Sequence, residues 1–236
     1  MKISVVIPLY NEQENIRMLY SELKDVLERT GLEYEILFID DGSEDESLKL
    51  LEEIKSNDSL VRVVSFRKNY GQSAALKIGF EKSSGDVVIT MDADLQNDPR
   101  DIPRLISYID QGYDLVSGWR KRRQDSFKKR LASKVANMVR SSIIKDEIHD
   151  TGCMLKAYRR DFIKGLRIYR GLHRFLPMLL KIQGAKVIEV EVNHRLRRFG
   201  RTKYGIKNRL WKSFIDTFIV LWMKKNYINP QIKEEL

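Results

Sequence analysis

Residues 86–99 read DVVITMDADLQNDP, and this stretch decides the fold. Val87, Val88, Ile89 and Thr90 form a β-branched run without polar alternation, the pattern of a strand buried on both faces. The run drives into Asp92-Ala93-Asp94, and Asn97-Asp98-Pro99 then supplies turn and helix N-cap chemistry. Two carboxylates one residue apart repel each other and are expensive to desolvate. A buried strand ending in such a pair calls for a countercharge.

The same pattern recurs on both sides. Residues 3–8, 34–40, 61–66 and 113–118 read as further strands, and 12–29, 44–56, 71–82 and 99–110 show helical spacing. Asp41-Gly42-Ser43 marks another helix start. Repeated β-α-β predicts an α/β fold, a doubly wound, mostly parallel twisted sheet flanked by helices. Ligands then bind at the carboxyl ends of the strands. Tyr10-Asn11-Glu12, Asp40-Asp41, 67–72 and 92–94 all follow predicted strands and should line one edge. The chain contains no G-x-G-x-x-G after the first strand and no G-x-x-x-x-G-K-[ST], which speaks against dinucleotide-binding Rossmann enzymes and P-loop NTPases.

The 236 residues carry a formal charge of +10, distributed unevenly. Residues 1–118 hold 13 Lys+Arg and 23 Asp+Glu, whereas 119–236 hold 30 and 10. The first half suits a metal, the second a phosphorylated substrate or an anionic surface. Within it, 119–145 (WRKRRQDSFKKRLASKVANMVRSSIIK) has ten basic residues against Asp125, with apolar residues at helical spacing. It is expected to form a basic amphipathic helix. The single cysteine, Cys153, excludes an intramolecular disulfide, and the N-terminal apolar run is too short for a signal peptide. The most apolar segment, 214–223, is about half of the roughly 20 residues that span a bilayer, and Asp216 interrupts it. These features lead us to expect one domain over 1–210 and a C-terminal amphipathic helix and tail over 211–236, with no transmembrane span.

A D-x-D at a strand end can hold Mg²⁺ or Mn²⁺ through carboxylate oxygens, the ion bridging the phosphates of a nucleotide. Together, VVIPLYNEQENI (5–16), FIDDGSEDES (38–47), NYGQSAALKIGF (69–80), MDADLQNDP (91–99) and HRLRRFGRTKYG (194–205) resemble, in this order, the family 2 glycosyltransferases of GT-A fold. Within that family the chain is most similar to the dolichyl- and polyprenyl-phosphate sugar transferases.

The resemblance implies an inverting, metal-dependent transfer of a hexose, from GDP-mannose or UDP-glucose, to a polyprenyl or dolichyl phosphate. It assigns Pro8, Tyr10, Glu12, Asp41 and Gln72 to the donor nucleotide, and Asp92 to the sugar side. Asp94 would be the direct metal ligand, with Asp92 and Gln96 assisting. The basic loop 193–205 would fold over the donor diphosphate, with Arg198 and Lys203 the expected contacts. Arg120, after Gly118, matches the family's Gly-x-Arg for the acceptor phosphate. Lys129 and Ser133 match its Arg-x-x-x-Ser with lysine for arginine, and Arg130 could stand in. Asp92, Asp94 and Arg120 are thus the expected catalytic set.

A lipid phosphate, with a second pKa of about 6, is already a nucleophile at neutral pH, so cations matter more than a base. A saccharide hydroxyl acceptor would instead need a base, and Asp150 is the candidate. A nucleic-acid-binding module would leave the D-x-D unexplained, so no nucleic acid is expected. Many relatives carry C-terminal transmembrane helices. Here the ending LWKSFIDTFIVLWMKKNYINP suggests an interfacial helix, a contact with a separate membrane subunit, or self-association. The expected location is cytoplasmic, peripheral on the cytoplasmic face of the membrane.

Overall fold

The computed structural model describes residues 1–121, 148–199 and 206–227. Seven strands form one sheet: β1 (Lys2–Leu9), β2 (Glu33–Asp40), β3 (Val61–Ser65), β4 (Val87–Thr90), β5 (Leu115–Trp119), β6 (Lys156–Arg159) and β7 (Val187–Glu191). Their spatial order is β3-β2-β1-β4-β6-β5-β7. The helices are α1 (Gln13–Thr30), α2 (Ser47–Asn57), α3 (Gln72–Lys82), α4 (Ile102–Asp110), the single turn α5 (Arg160–Ile163), α6 (Leu176–Ile182) and α7 (Ile206–Asn226).

The five expected strands are present and run parallel. The sheet is mixed because β6 runs antiparallel between β4 and β5. The segment 156–159 is too short and too polar to stand out by pattern; its strand identity comes from filling the gap between β4 and β5. β7 extends the sheet beyond β5 in parallel register, Trp119 opposite Glu191.

Alternation explains the unbroken apolar runs. In β1, Ile3, Val5 and Ile7 face one layer with Leu19 and Leu23 of α1 and Leu105 of α4. Val6 faces the other, with Leu76 and Phe80 of α3 and Leu176 of α6. Both faces are covered, so the strand is apolar on both sides, and its one polar interior residue, Ser4, is buried against Glu35 as a hydrogen-bond donor. Each such side chain contributes roughly 1.5–3 kcal/mol. Gly79 lets α3 sit directly on β1, since a Cβ there would fall 2.2 Å from Val6 Cγ1. That close approach brings the start of α3 to the end of β4.

Helix α2 begins at Ser47 rather than near 44, and the amides of the turn that precedes it are met from a neighbouring loop. Asn11 Oδ1 accepts from Glu44 N at 2.8 Å and Gln13 Oε1 from Glu46 N at 2.9 Å. Ser43 and Ser47 hydroxyls accept from the amides of Asn11 and Glu12 in return. Asp98 caps the turn before α4 as expected, accepting from Arg100 N at 3.1 Å.

Helix α7 crosses the expected boundary at 210/211. Val220 packs with Leu172, Phe175, Met178 and Leu179, and Asp216 pairs with Arg174 at 3.4 Å. Its other side leaves Ile215, Phe218, Ile219 and Trp222 exposed. Among the described residues, no helix is long and apolar enough to cross a membrane. The basic segment expected to be a helix, with Lys129, Arg130 and Ser133, lies outside the described residues, as does Lys203.

Candidate functional site at the strand ends

The carboxyl ends of β1, β2, β4, β5 and β7 share one edge, where antiparallel β6 begins. The expected clusters converge there.

On the donor side, Asp40 organises its own turn, accepting from Ser43 N at 3.1 Å and Ser65 Oγ at 2.7 Å. The buried Asp41 receives the amides of Tyr70 and Gly71, each at 2.8 Å. Its carboxyl is nonetheless raised above the ordinary range, because burial outweighs those bonds. Both oxygens thus hold the 69–71 loop, a role not visible in the sequence. Gly42, at φ 72°, lies so close to that loop that a Cβ would fall 2.5 Å from the Lys68 carbonyl carbon. Glu12 accepts from Asn15 Nδ2 at 2.6 Å. Pro8 is buried at the end of β1 opposite Ile39. Tyr10 is half-buried at the strand end.

At the acidic pair, Gln72 Nε2 donates to Asp92 Oδ1 at 2.8 Å. Burial, then the charge of Asp94, pushes the Asp92 carboxyl up to about 7, against the pull of Arg120 and Lys156. Asp94 accepts from Gln96 N at 3.2 Å and forms an ion pair with Arg197. The pairing brings in a loop arginine other than the expected Arg198, which turns toward Met18 on α1, Nη1 to Sδ at 3.4 Å. A run of arginines in an irregular loop has no periodicity to say which one points inward.

The loop carrying Arg197 is fastened to the acidic turn. Arg195 N donates to Gln96 O at 2.9 Å, and its guanidinium joins Asp98 at 2.7 Å and Glu22 on α1. Asn193 N donates to Asp101 Oδ2 at 2.8 Å.

Beyond the acidic pair, at the end of β5, Arg120 Nε and Nη2 meet Asp150 Oδ2 and Oδ1 at 2.7 and 2.9 Å. Burial disfavours the Arg120 charge, yet the Asp150 pairing more than compensates and holds it ionised. Asp150 is held in turn by Glu189, whose carboxylate accepts from His149 N at 2.7 Å and Asp150 N at 2.9 Å. His149 also stacks on Trp119, centroids 4.6 Å apart. Behind them the fully buried Lys156 gives its ammonium to the Cys153 carbonyl, and burial pulls its pKa down. Cys153 is buried with its thiol pushed up to about 11 by burial, a structural role as expected. Lys156 lies on a strand that pattern alone does not mark; Glu189 lies in VIEVE (187–191), whose β-branched alternation is a strand signal outside the five expected strands.

The donor set fits a hard divalent cation. Asp92, Asp94 and Gln96 offer oxygens, and the Arg197 guanidinium already occupies Asp94 as a cation would. Among the described residues, no group of three His, Cys, Asp or Glu closes around a metal. Two carboxylates with the remaining positions left to water and diphosphate is a usual Mg²⁺ arrangement.

Among known proteins, the chain is 43% identical over 204 residues to undecaprenyl-phosphate 4-deoxy-4-formamido-L-arabinose transferase of Pectobacterium atrosepticum. The match covers 86% of this chain but 62% of that relative, so the chain spans less than two thirds of its length. Among solved structures, glucosyl-3-phosphoglycerate synthase from Mycobacterium tuberculosis, in complex with Mn²⁺, UDP and phosphoglyceric acid, superposes with a TM-score of 0.71 at 20% identity. That superposition covers 97% of this chain and 80% of the synthase, and shows the fold. A further structure of the synthase, with Mn²⁺ and UDP-glucose, gives 0.69 over 94% of this chain and 78% of the synthase, also at 20% identity. The mixed sheet with its acidic crest is the GT-A architecture. The family description "Glycosyl transferase family 2" matches residues 4–167, and the chain belongs to that family.

Proposed function

We propose that this chain transfers a sugar from a nucleotide-sugar to a polyprenyl phosphate, with inversion, in the presence of Mg²⁺ or Mn²⁺. The observation that carries the proposal is the Arg120–Asp150 fork set beside Asp92. It presents a buried, permanently charged cation next to the donor carboxylates, and it leaves Asp150 no role as a base. A saccharide acceptor would need such a base. A lipid phosphate needs a cation in place.

In this reading Asp94, Asp92 and Gln96 hold the metal, which when bound neutralises the diphosphate leaving group. Gln72 orients Asp92. Tyr10, Glu12 and the turn fastened by Asp41 flank the nucleoside. Arg120 has Nη1 free of the Asp150 fork, and this nitrogen holds the acceptor phosphate. A phosphate oxygen attacks the anomeric carbon as the bond to the diphosphate oxygen breaks; no proton need move at neutral pH. Lys129, Arg130, Ser133 and Lys203 would complete the anion sites. The exposed side of α7, with Lys224 and Lys225 exposed beyond it, supports peripheral attachment to an anionic membrane. On the reading of a lipid-linked acceptor this is the cytoplasmic face. Docking on a membrane subunit or on a second copy remains the alternative for that surface.

The test is incubation with Mn²⁺, a short polyprenyl phosphate, and labelled nucleotide-linked sugars including hexoses and 4-deoxy-4-formamido-L-arabinose. Label entering the organic phase from one donor supports the proposal and names the sugar. Label entering only a water-soluble saccharide would overturn it.

A further inference from the structure

We infer that Arg197 is a resident counter-cation of Asp94 that must leave for a divalent ion to bind, and that it leaves for the donor diphosphate. The inference rests on the metal reading above and adds to it a coupling between ion and nucleotide.

The geometry is that of a hinged arm. Up to Arg195 the loop is bolted to the turn that carries the acidic pair. Asn193 binds Asp101 through both its amide and its side chain, 2.8 and 3.2 Å. His194 bridges Asn97, and Arg195 N donates to Gln96 O. The Arg195 guanidinium is clamped between Asp98 and Glu22. Two residues further on, Arg197 lies on Asp94 Oδ2. The Asp94 side chain is 10% exposed and that of Arg197 28%, so the carboxylate is enclosed while the arm keeps an open side. Arg197 can therefore exchange partners without unfastening the loop.

This contact answers the repulsion between Asp92 and Asp94 in the absence of ligand. It also sets a competition. A dication on Asp94 Oδ2 and a guanidinium on the same oxygen repel each other. A metal ion arriving alone displaces Arg197 into water. A metal ion arriving with a nucleoside diphosphate brings phosphate oxygens, which accept the guanidinium fork directly. Ion and diphosphate then favour one another's binding, and by linkage the effect is reciprocal.

The test is Mn²⁺ binding to the full chain, read as loss of the free-ion electron paramagnetic resonance signal, with and without UDP or GDP. The wild type should bind Mn²⁺ alone weakly and more tightly with the diphosphate. Arg197→Gln should bind Mn²⁺ alone about two- to fivefold more tightly, the scale of one partly exposed ion pair. It should also lose most of the tightening by diphosphate, and Arg197→Lys should keep part of it. Circular dichroism and thermal melting establish that each variant is folded. Unchanged Mn²⁺ affinity in Arg197→Gln, with the diphosphate effect intact, overturns the inference and leaves the metal reading standing. Unchanged Mn²⁺ binding in Asp94→Asn removes the metal reading itself.

Discussion

The guanidinium of Arg120 and the carboxylate of Asp150 meet at two points, 2.7 and 2.9 Å, with side chains only 11% and 5% exposed. A fork of this kind is directional, and Glu189 holds the backbone beneath it. Both charges are buried, so each depends on the other.

Removing the carboxylate should therefore hurt stability and catalysis together. Asp150→Ala is expected to cost about 3–5 kcal/mol, the scale for stranding one partner of a buried pair. Urea unfolding measures it. On the proposed lipid-phosphate acceptor, which needs no base, Asp150→Asn should lower transfer while the pH–rate profile keeps its shape. A lost alkaline or acid limb in that variant would count against this assignment.

Arg120→Lys keeps the charge and loses the fork. The expected result is a KM for polyprenyl phosphate raised about tenfold or more, with the KM for the donor unchanged, the loss of roughly one charge-assisted bond. Steady-state kinetics against each substrate separates the two.

Glu35 gives a pH-dependent prediction away from the site. Burial alone would raise this carboxyl, but hydrogen bonds from Ser4, Arg62 and Ser84 outweigh it and hold it at about 2. The unfolded chain protonates it near its ordinary value of 4.5. Its stabilisation is therefore complete above that value and fades as pH falls toward 2. Glu35→Gln should cost about 2–3 kcal/mol at pH 7, with the gap to wild type closing between about pH 5 and 2. Denaturant titrations at several pH values test this.

Gly42→Ala places a methyl group against the Lys68 backbone at a φ of 72°. Both contact partners are main chain, so the loop 67–71 must move. A loss of about 1–3 kcal/mol is expected, together with weaker nucleotide binding. Calorimetric melting and nucleotide titration report the two effects.

Phe218→Ser with Trp222→Ser removes two exposed side chains of α7, 48% and 66% exposed. Sedimentation with anionic vesicles should fall severalfold, while the melting temperature stays within the small range of surface changes. Undiminished sedimentation would place the membrane contact elsewhere.

Five strands, the helices that follow four of them and the acidic crest at 92–94 were legible because each depends on local pattern. A strand covered on both faces is mostly apolar, its few polar positions such as Ser4 and Glu35 satisfied by one another, and its polar end lies at the sheet edge. β6 was not legible, since residues 156–159 become a strand through the partners they find; β7 carries a strand signal in the alternation of VIEVE (187–191) that lies outside the five expected strands. Cys153 was legible as structural, since one thiol without other ligands nearby forms no site. The buried charge of Lys156 was not, because a lysine in a polar stretch reads as solvated.

The division follows the range of the forces. Alternation, capping and turn chemistry act over a few residues, so the amino-acid order was enough to set the elements, the family likeness and the meeting of acidic and basic halves. Which charge meets which is a long-range choice. Asp94 lies 103 positions from Arg197 and Arg120 lies 30 from Asp150. Only the bolting of the 193–195 loop to the acidic turn aims Arg197 inward and Arg198 out, and only folding joins Asp150 to Arg120.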